Sequence, residues 1–182
     1  MSTIAQVNTA ITVAAHDETR QQQQSQFLTF MLSGEVFAIG ILNIKEIIEY
    51  GNLTEVPRMP EFIRGVINLR GSVVPVIDLG ARFGKHATEV SRRTCIVIIE
   101  VQHEGEQHVI GVMVDAVNEV LDIPATEIEP APAFGSKIHA EFIHGMCKVD
   151  GKFVIILNVD QVLSLDEIST LAGMGTGAAV AA

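Results

Sequence analysis

The ordered pattern opens at Gln26 with an almost unbroken apolar run. Phe27, Thr29 and Met31 alternate with Leu28, Phe30 and Leu32, so both faces of a strand are expected to be covered. Gly34-Glu35 predicts a turn, and residues 36–41 predict the returning strand of a hairpin. Ile44, Ile47 and Ile48 fall at i, i+3, i+4, which predicts a short helix capped by Asn43. Residues 55–60 hold Pro57 and Pro60 and read as a loop, because proline disfavours helix at the residue before it. Residues 65–79 predict two strands about a turn at Arg70-Gly71. Pro75 has no N–H for a ladder, so its strand is expected to be an edge or to carry a bulge there. Asp78 predicts the cap of a helical turn that ends near Gly84.

A polar connector over residues 85–93 leads into a second β-rich half. Residues 94–101 and 108–114 predict a strand pair around a turn at residues 103–106. Residues 116–123 predict another strand, with Val117, Leu121 and Ile123 on one side. Pro124, Pro130 and Pro132 mark a long loop. Residues 146–149 and 152–157 flank Asp150-Gly151, which suits a type I′ hairpin turn. Residues 159–168 predict a closing helix with Val162, Leu163 and Leu165 available for packing. About ten short strands in two similar groups, with no long amphipathic helices between them, predict two small barrels instead of a doubly wound α/β sheet. The expected division is a flexible tail over residues 1–25, a folded region over 26–168 and a flexible tail over 169–182. Within the folded region, one lobe is expected over about 26–90 and the other over about 91–168, with room for the ends to be exchanged.

Composition narrows the function. The chain is 48% hydrophobic, enough for a packed core, and with eight Phe, one Tyr and no Trp that core must be built mainly from Val, Ile and Leu. A formal net charge of −10 argues against nucleic acid or an anionic membrane as partner, because phosphate binding needs a basic surface. Cys95 and Cys147 lie in apolar runs with no CxxC spacing, and read as small buried hydrophobes without disulfide or metal. No signal peptide pattern and no apolar run long enough to span a bilayer is visible, so a cytoplasmic protein without membrane insertion is expected.

Catalytic constellations are missing from the text of the chain. It has no HExxH, GxSxG or GxxxxGK[ST] motif. His139 and His144 are five apart, which separates them around a helix, and His103 with His108 reads as two exposed hairpin polars. Glu46 and Glu49 read as a solvated helix face. No cofactor, metal or small-molecule substrate is expected. Asn68 and Arg70 interrupt an apolar strand pair, and the residues alone leave two readings open. Either both brace the hairpin, with Gly71 at positive φ, or Arg70 projects from a stiff turn as an interface anchor. Two competing readings also stand on the residues alone: a small hydrolase using Asp78, Asp115 or a histidine, and a homo-oligomeric structural barrel.

Phe37 to Ile48, then Asn68-Leu69-Arg70-Gly71 with Val74-Pro75-Val76-Ile77-Asp78-Leu79, then residues 110–121 and then Ile143-His144-Gly145-Met146 stand in an order that resembles the CheW family of chemotaxis coupling proteins. Residues 37–48, from Phe37 to Ile48, look like its first block. Residues 62–71 with Asn68-Leu69-Arg70-Gly71, followed by Val74-Pro75-Val76-Ile77-Asp78-Leu79, resemble its central block. Residues 110–121 are similar to its third block, and Ile143-His144-Gly145-Met146 with residues 155–160 to its last. The resemblance runs from about Phe27 to Ile168. It implies two five-stranded SH3-like barrels around a shared hydrophobic core, and no catalysis. It also implies an adaptor that couples transmembrane chemoreceptors to the CheA histidine kinase and is recruited to receptor arrays. A groove between the lobes would take the cytoplasmic tip of a chemoreceptor, and other surfaces the regulatory domain of the kinase. Carried over by motif, Glu46, Gly65, Arg70 and Gly71 fall at partner-binding positions, Ile44, Val117 and Val120 are groove candidates, and Asn68 is a turn residue. The related CheV architecture adds a receiver domain, for which the residues after Ile168 are too few.

Overall fold

The computed structural model describes residues 25–84, 87–130 and 140–161. The expected tails, and the closing helix beyond Gln161, lie outside these residues. Among the described residues, ten strands form two five-stranded sheets. In chain order they are β1 (Gln26–Leu32), β2 (Glu35–Gly40), β3 (Ile44–Glu49), β4 (Ile63–Leu69) and β5 (Ser72–Asp78), then β6 (Cys95–His103), β7 (Glu106–Val114), β8 (Ala116–Asp122), β9 (Ile143–Val149) and β10 (Lys152–Leu157). One helical turn, α1 (Leu79–Arg82), follows β5.

Sheet membership does not follow chain order. The first sheet runs β8-β1-β2-β10-β9 and the second β3-β6-β7-β5-β4. Each sheet is a hairpin (β1–β2, or β6–β7) joined in parallel to a second hairpin (β9–β10, or β4–β5), with β8 or β3 added at the edge. The second sheet is therefore the continuous stretch β3–β7 and the first combines β1–β2 with β8–β10, unlike the expected lobes over 26–90 and 91–168. β3 leaves β2 to edge the second sheet, and β8 leaves β7 to edge the first. The two sheets are related position by position. Β-bulges follow Ile63 and Ile143, Thr54 bridges Val66 where Glu129 bridges Met146, and Asp78 N–H bonds Phe62 O where Asn158 N–H bonds Phe142 O. The text signal for this repeat is Phe62-Ile63-Arg64-Gly65 against Phe142-Ile143-His144-Gly145.

Apolar side chains divide into three clusters. One lies within each sheet's own curl: Phe27, Ala38, Ile123, Cys147, Val154 and Ile156 in the first, and Ile67, Val74, Val76, Ile96, Ile98 and Met113 in the second. The largest lies between the sheets and takes Phe30, Leu32 and Phe37 from one and Ile77, Ile99 and Val112 from the other. Phe30, Phe37, Phe83 and Phe142 stack in sequence through it, with ring centroids 6.2, 5.8 and 5.8 Å apart. Strands buried on both faces explain why β1 and β6 read as continuous apolar runs instead of alternating.

Four further expectations need correction. Residues 44–49 are a strand, not a helix: only Ile41–Asn43 makes a 3-10 turn, and Asn43 caps no α-helix. In β3 burial alternates with period two, and β-branched isoleucines suit that pleat; Ile44 and Ile48 turn inward while Ile47 is 43% exposed. Glu46 and Glu49 therefore share no helix face. The first hairpin turns at Ser33-Gly34, both at positive φ, instead of Gly34-Glu35. β6 and β7 run on to the Glu104-Gly105 turn, past the expected ends at Val101 and His108. Pro75 lies in an interior strand, since β5 pairs with both β4 and β7. It is tolerated because the parallel pairing with β7 begins only at Val76, so no ladder bond is lost on that side. The Asp78 cap holds: its Oδ1 accepts from Ala81 N–H at 3.3 Å.

Candidate functional site

The edge strands carry most of the candidate residues. On β3, a bulge between Ile44 and Glu46 shifts the pairing with β6, and the intervening Lys45 turns out to an ion pair with Glu100 at 3.0 Å. Ile44 packs against the inter-sheet core and Glu46 lies beyond it toward the β4–β5 hairpin. On β8, the matching bulge falls between Val117 and Val120. Buried Thr29 fills it: its hydroxyl donates to Glu119 O at 2.8 Å and accepts from Glu119 N–H at 3.2 Å. Val117 then reaches the same inter-sheet core as Ile44, while Val120 is left 47% exposed. Ile44 and Val117 occupy equivalent positions in the two sheets, as do the exposed Ile47 and Val120. Ile47 was missed as a candidate because a helical reading assigned it to packing.

The turn residues form a second group. Arg70 and Gly71 sit at the tip of the β4–β5 hairpin with φ of 53° and 88°. Asn68 Oδ1 accepts a hydrogen bond from Gly71 N–H at 2.9 Å, which braces this turn. Arg70 Nη2 meets Glu46 Oε2 at 3.4 Å, so the ion pair ties the hairpin tip to β3. The Arg70 side chain is 82% exposed, and a pair so open to water contributes little to stability. Beside it, an open cavity of about 540 Å³ runs between β3 and β4 along Ile48, Tyr50, Ile67 and Asn68. Val73, on the same hairpin, adds an exposed apolar side chain. Charge, apolar surface and a concave edge thus adjoin on one sheet.

Gly65 is a different case, buried and at φ 151°. A Cβ there would stand 2.2 Å from Thr54 O, because the Thr54–Val66 bridge brings the two backbones into contact. Its place in the site is indirect: it allows the closure that holds β4 and its hairpin.

The remaining titratable groups are spread out. Asp78 is fully buried on Thr88 and Ala81, and Asp115 accepts from Ser33 N–H at 2.7 Å. These two carboxyl groups hold backbone in place at separate points of the fold. The rings of His103 and His108 lie 6.5 Å apart, and no group of three metal-donor side chains occurs among the described residues. Burial, with nearby Glu49 for Cys95 and Glu127 for Cys147, pushes both thiols above the ordinary range. Both cysteines are free; Cys147 is buried and Cys95 half-buried. No helix among the described residues is long and apolar enough to cross a membrane.

A family model described as the CheW-like domain matches residues 26–167, which spans both sheets and every candidate residue. The chain belongs to the CheW family. It is 33% identical over 144 residues to the chemotaxis protein CheW of Klebsiella aerogenes, covering 79% of this chain and 84% of that one. It is also 33% identical over 153 residues to CheW of Helicobacter pylori, covering 84% and 90%. Among solved structures it matches the scaffolding protein TtCheW of Thermoanaerobacter tengcongensis with a TM-score of 0.71 at 35% identity, over 79% of this chain and 90% of that one. The mostly-β fold of two curled five-stranded sheets read from the sequence is the CheW fold.

Proposed function

We propose that this CheW-family chain is a non-catalytic adaptor with two separate docking surfaces, one for the cytoplasmic tip of a chemoreceptor and one for the regulatory domain of a CheA-type histidine kinase. The receptor surface is the apolar rim formed where β3 and β8 cross between the sheets, with Ile44, Val117 and Val120. The kinase surface is the outer end of the second sheet, with Glu46, Arg70, Gly71 and Val73. Gly65 supports that end from inside. A cytoplasmic chain bound to both partners would be recruited to membrane-associated receptor arrays.

The observation that carries this reading is the Glu46–Arg70 pair. Its arginine is exposed on a braced hairpin tip beside apolar surface, its glutamate is half-buried on β3, and the pair contributes little to the fold. Arginine presented in that way is a common anchor in protein interfaces. Two such surfaces would make the adaptor bivalent: holding one partner raises the effective concentration of the other.

Arg70→Ala and Glu46→Ala are each expected to melt within about 3 °C of wild type, since an exposed ion pair is worth roughly 1 kcal/mol or less. Both are expected to weaken kinase-domain binding by about tenfold to a hundredfold. Titration calorimetry with the purified regulatory domain checks this. Unchanged affinity in both folded variants would remove this surface from the interface.

A further inference from the structure

At the rim of the inter-sheet core lies a cation, Arg82, whose position the adaptor reading does not use. Arg82 closes α1, directly after the last strand residue of β5 in the second sheet. Its guanidinium carbon lies 5.2 Å from the centroid of the Phe62 ring and 4.7 Å from that of Phe142. These two phenylalanines are the equivalent residues of the internal repeat. Phe62 is tied to the second sheet through Asp78 N–H, and Phe142 to the first through Asn158 N–H. Arg82 therefore touches one ring from each sheet at matching positions. Its neighbour Phe83 is buried and stacks on Phe37 and Phe142, both of the first sheet. So α1 enters the first sheet as a wedge, with Phe83 the apolar part and half-buried Arg82 at its rim.

We propose that Arg82 is a positioning residue that sets the angle between the two sheets and thereby the width of the receptor groove. The physical reason lies in the kinds of contact available. Apart from the Phe30–Phe37–Phe83–Phe142 stack, the inter-sheet core is mostly aliphatic, and aliphatic packing is non-directional. A planar guanidinium over two aromatic faces has a preferred distance and orientation, and it is weakly hydrated enough to be held there. Removing it leaves the aliphatic core and both sheets' ladders intact, but frees one sheet to rock on the other. Ile44 is carried on the second sheet and Val117 on the first, so their spacing depends on that angle. Glu46, Arg70 and Val73 all belong to the second sheet, and their spacing does not.

This split makes the proposal testable, and it rests on the adaptor reading only for its binding arm. Full-length wild type, Arg82→Gln and Arg82→Lys are compared by amide residual dipolar couplings, fitted separately to each sheet, and by calorimetry against a receptor-tip coiled-coil fragment and the kinase regulatory domain. For Arg82→Gln, the two sheets are expected to require different alignment tensors, whereas wild type needs one. Receptor-tip affinity is expected to fall about tenfold, with kinase-domain affinity changed less than twofold. Arg82→Lys keeps the charge but loses the planar face, and is expected to fall between the two. A single shared tensor in Arg82→Gln overturns the proposal whatever the binding shows, as does an equal loss of affinity for both partners. If wild type binds no receptor tip, the adaptor reading fails and the couplings alone decide the role of Arg82.

Discussion

Gly65→Ala is expected to destabilise the fold by about 3–4 kcal/mol and to lower Tm by roughly 10 °C. Two costs add at this residue. At φ 151° an L side chain is strained even in open space, and the added Cβ would stand 2.2 Å from Thr54 O and 2.9 Å from Thr54 C. Those atoms are backbone, fixed by the reciprocal bonds between Thr54 and Val66 at 2.9 and 2.8 Å, so they cannot swing aside. The equivalent Gly145 gives an internal control. There a Cβ would meet Ile128 Cγ2 at 2.4 Å and Glu129 O at 2.9 Å, with no positive φ. Ile128 is β-branched and Glu129 O is held by its bonds with Met146, so both must give a little, but no φ strain is added and the backbone contact is longer. Gly145→Ala is expected to cost about 2 kcal/mol, less than Gly65→Ala. Urea melts of both variants check the order. Equal losses would mean that the Thr54–Val66 bridge is not held as tightly as described.

Asp78→Ala is expected to cost about 3–5 kcal/mol, on three grounds. Asp78 is fully buried, with Oδ2 accepting from Thr88 N–H at 2.8 Å and Oδ1 accepting from the Thr88 hydroxyl at 2.9 Å. Thr88 is itself buried, so alanine strands two donors away from water, each at about 1–3 kcal/mol. It also removes the N-cap of α1, worth about 1 kcal/mol. Thr88→Val keeps the volume and the N–H bond and loses only the hydroxyl, for an expected cost of about 1 kcal/mol. Because α1 carries Phe83 and Arg82 into the inter-sheet core, Asp78→Ala is also expected to loosen that core. Thermal melts of the two variants check the ranking, and a smaller loss for Asp78→Ala than for Thr88→Val would contradict it.

The parts of this fold legible in the sequence are the parts fixed locally. Arg70-Gly71, Glu104-Gly105 and Asp150-Gly151 announced hairpins because a tight turn demands positive φ, and all three occur. Asp78 announced its cap. β3 was misread because Ile44, Ile47 and Ile48 fit a helical spacing, although their side chains belong to both faces of a strand. The exchange of β3 and β8 between sheets leaves no local trace, since either strand would satisfy either edge by composition. Among site residues, Asn68 was legible as a turn brace. Arg70 was ambiguous on residue chemistry, and only the resemblance to the CheW family weighed it toward an interface. Its ion pair with Glu46 depends on where β3 docks, which is a tertiary fact. The Arg82 contact with Phe62 and Phe142 is further still from the text, because it joins residues of two sheets that only packing brings together.

The most direct test of the two-surface account is sedimentation velocity of the full-length chain mixed with both a receptor-tip fragment and the kinase regulatory domain. The account predicts a ternary species, with Val120→Asp, at an exposed position, losing only the receptor tip and Arg70→Ala weakening only the kinase domain. Displacement of one partner by the other, or failure of the wild-type chain to bind either, would contradict it.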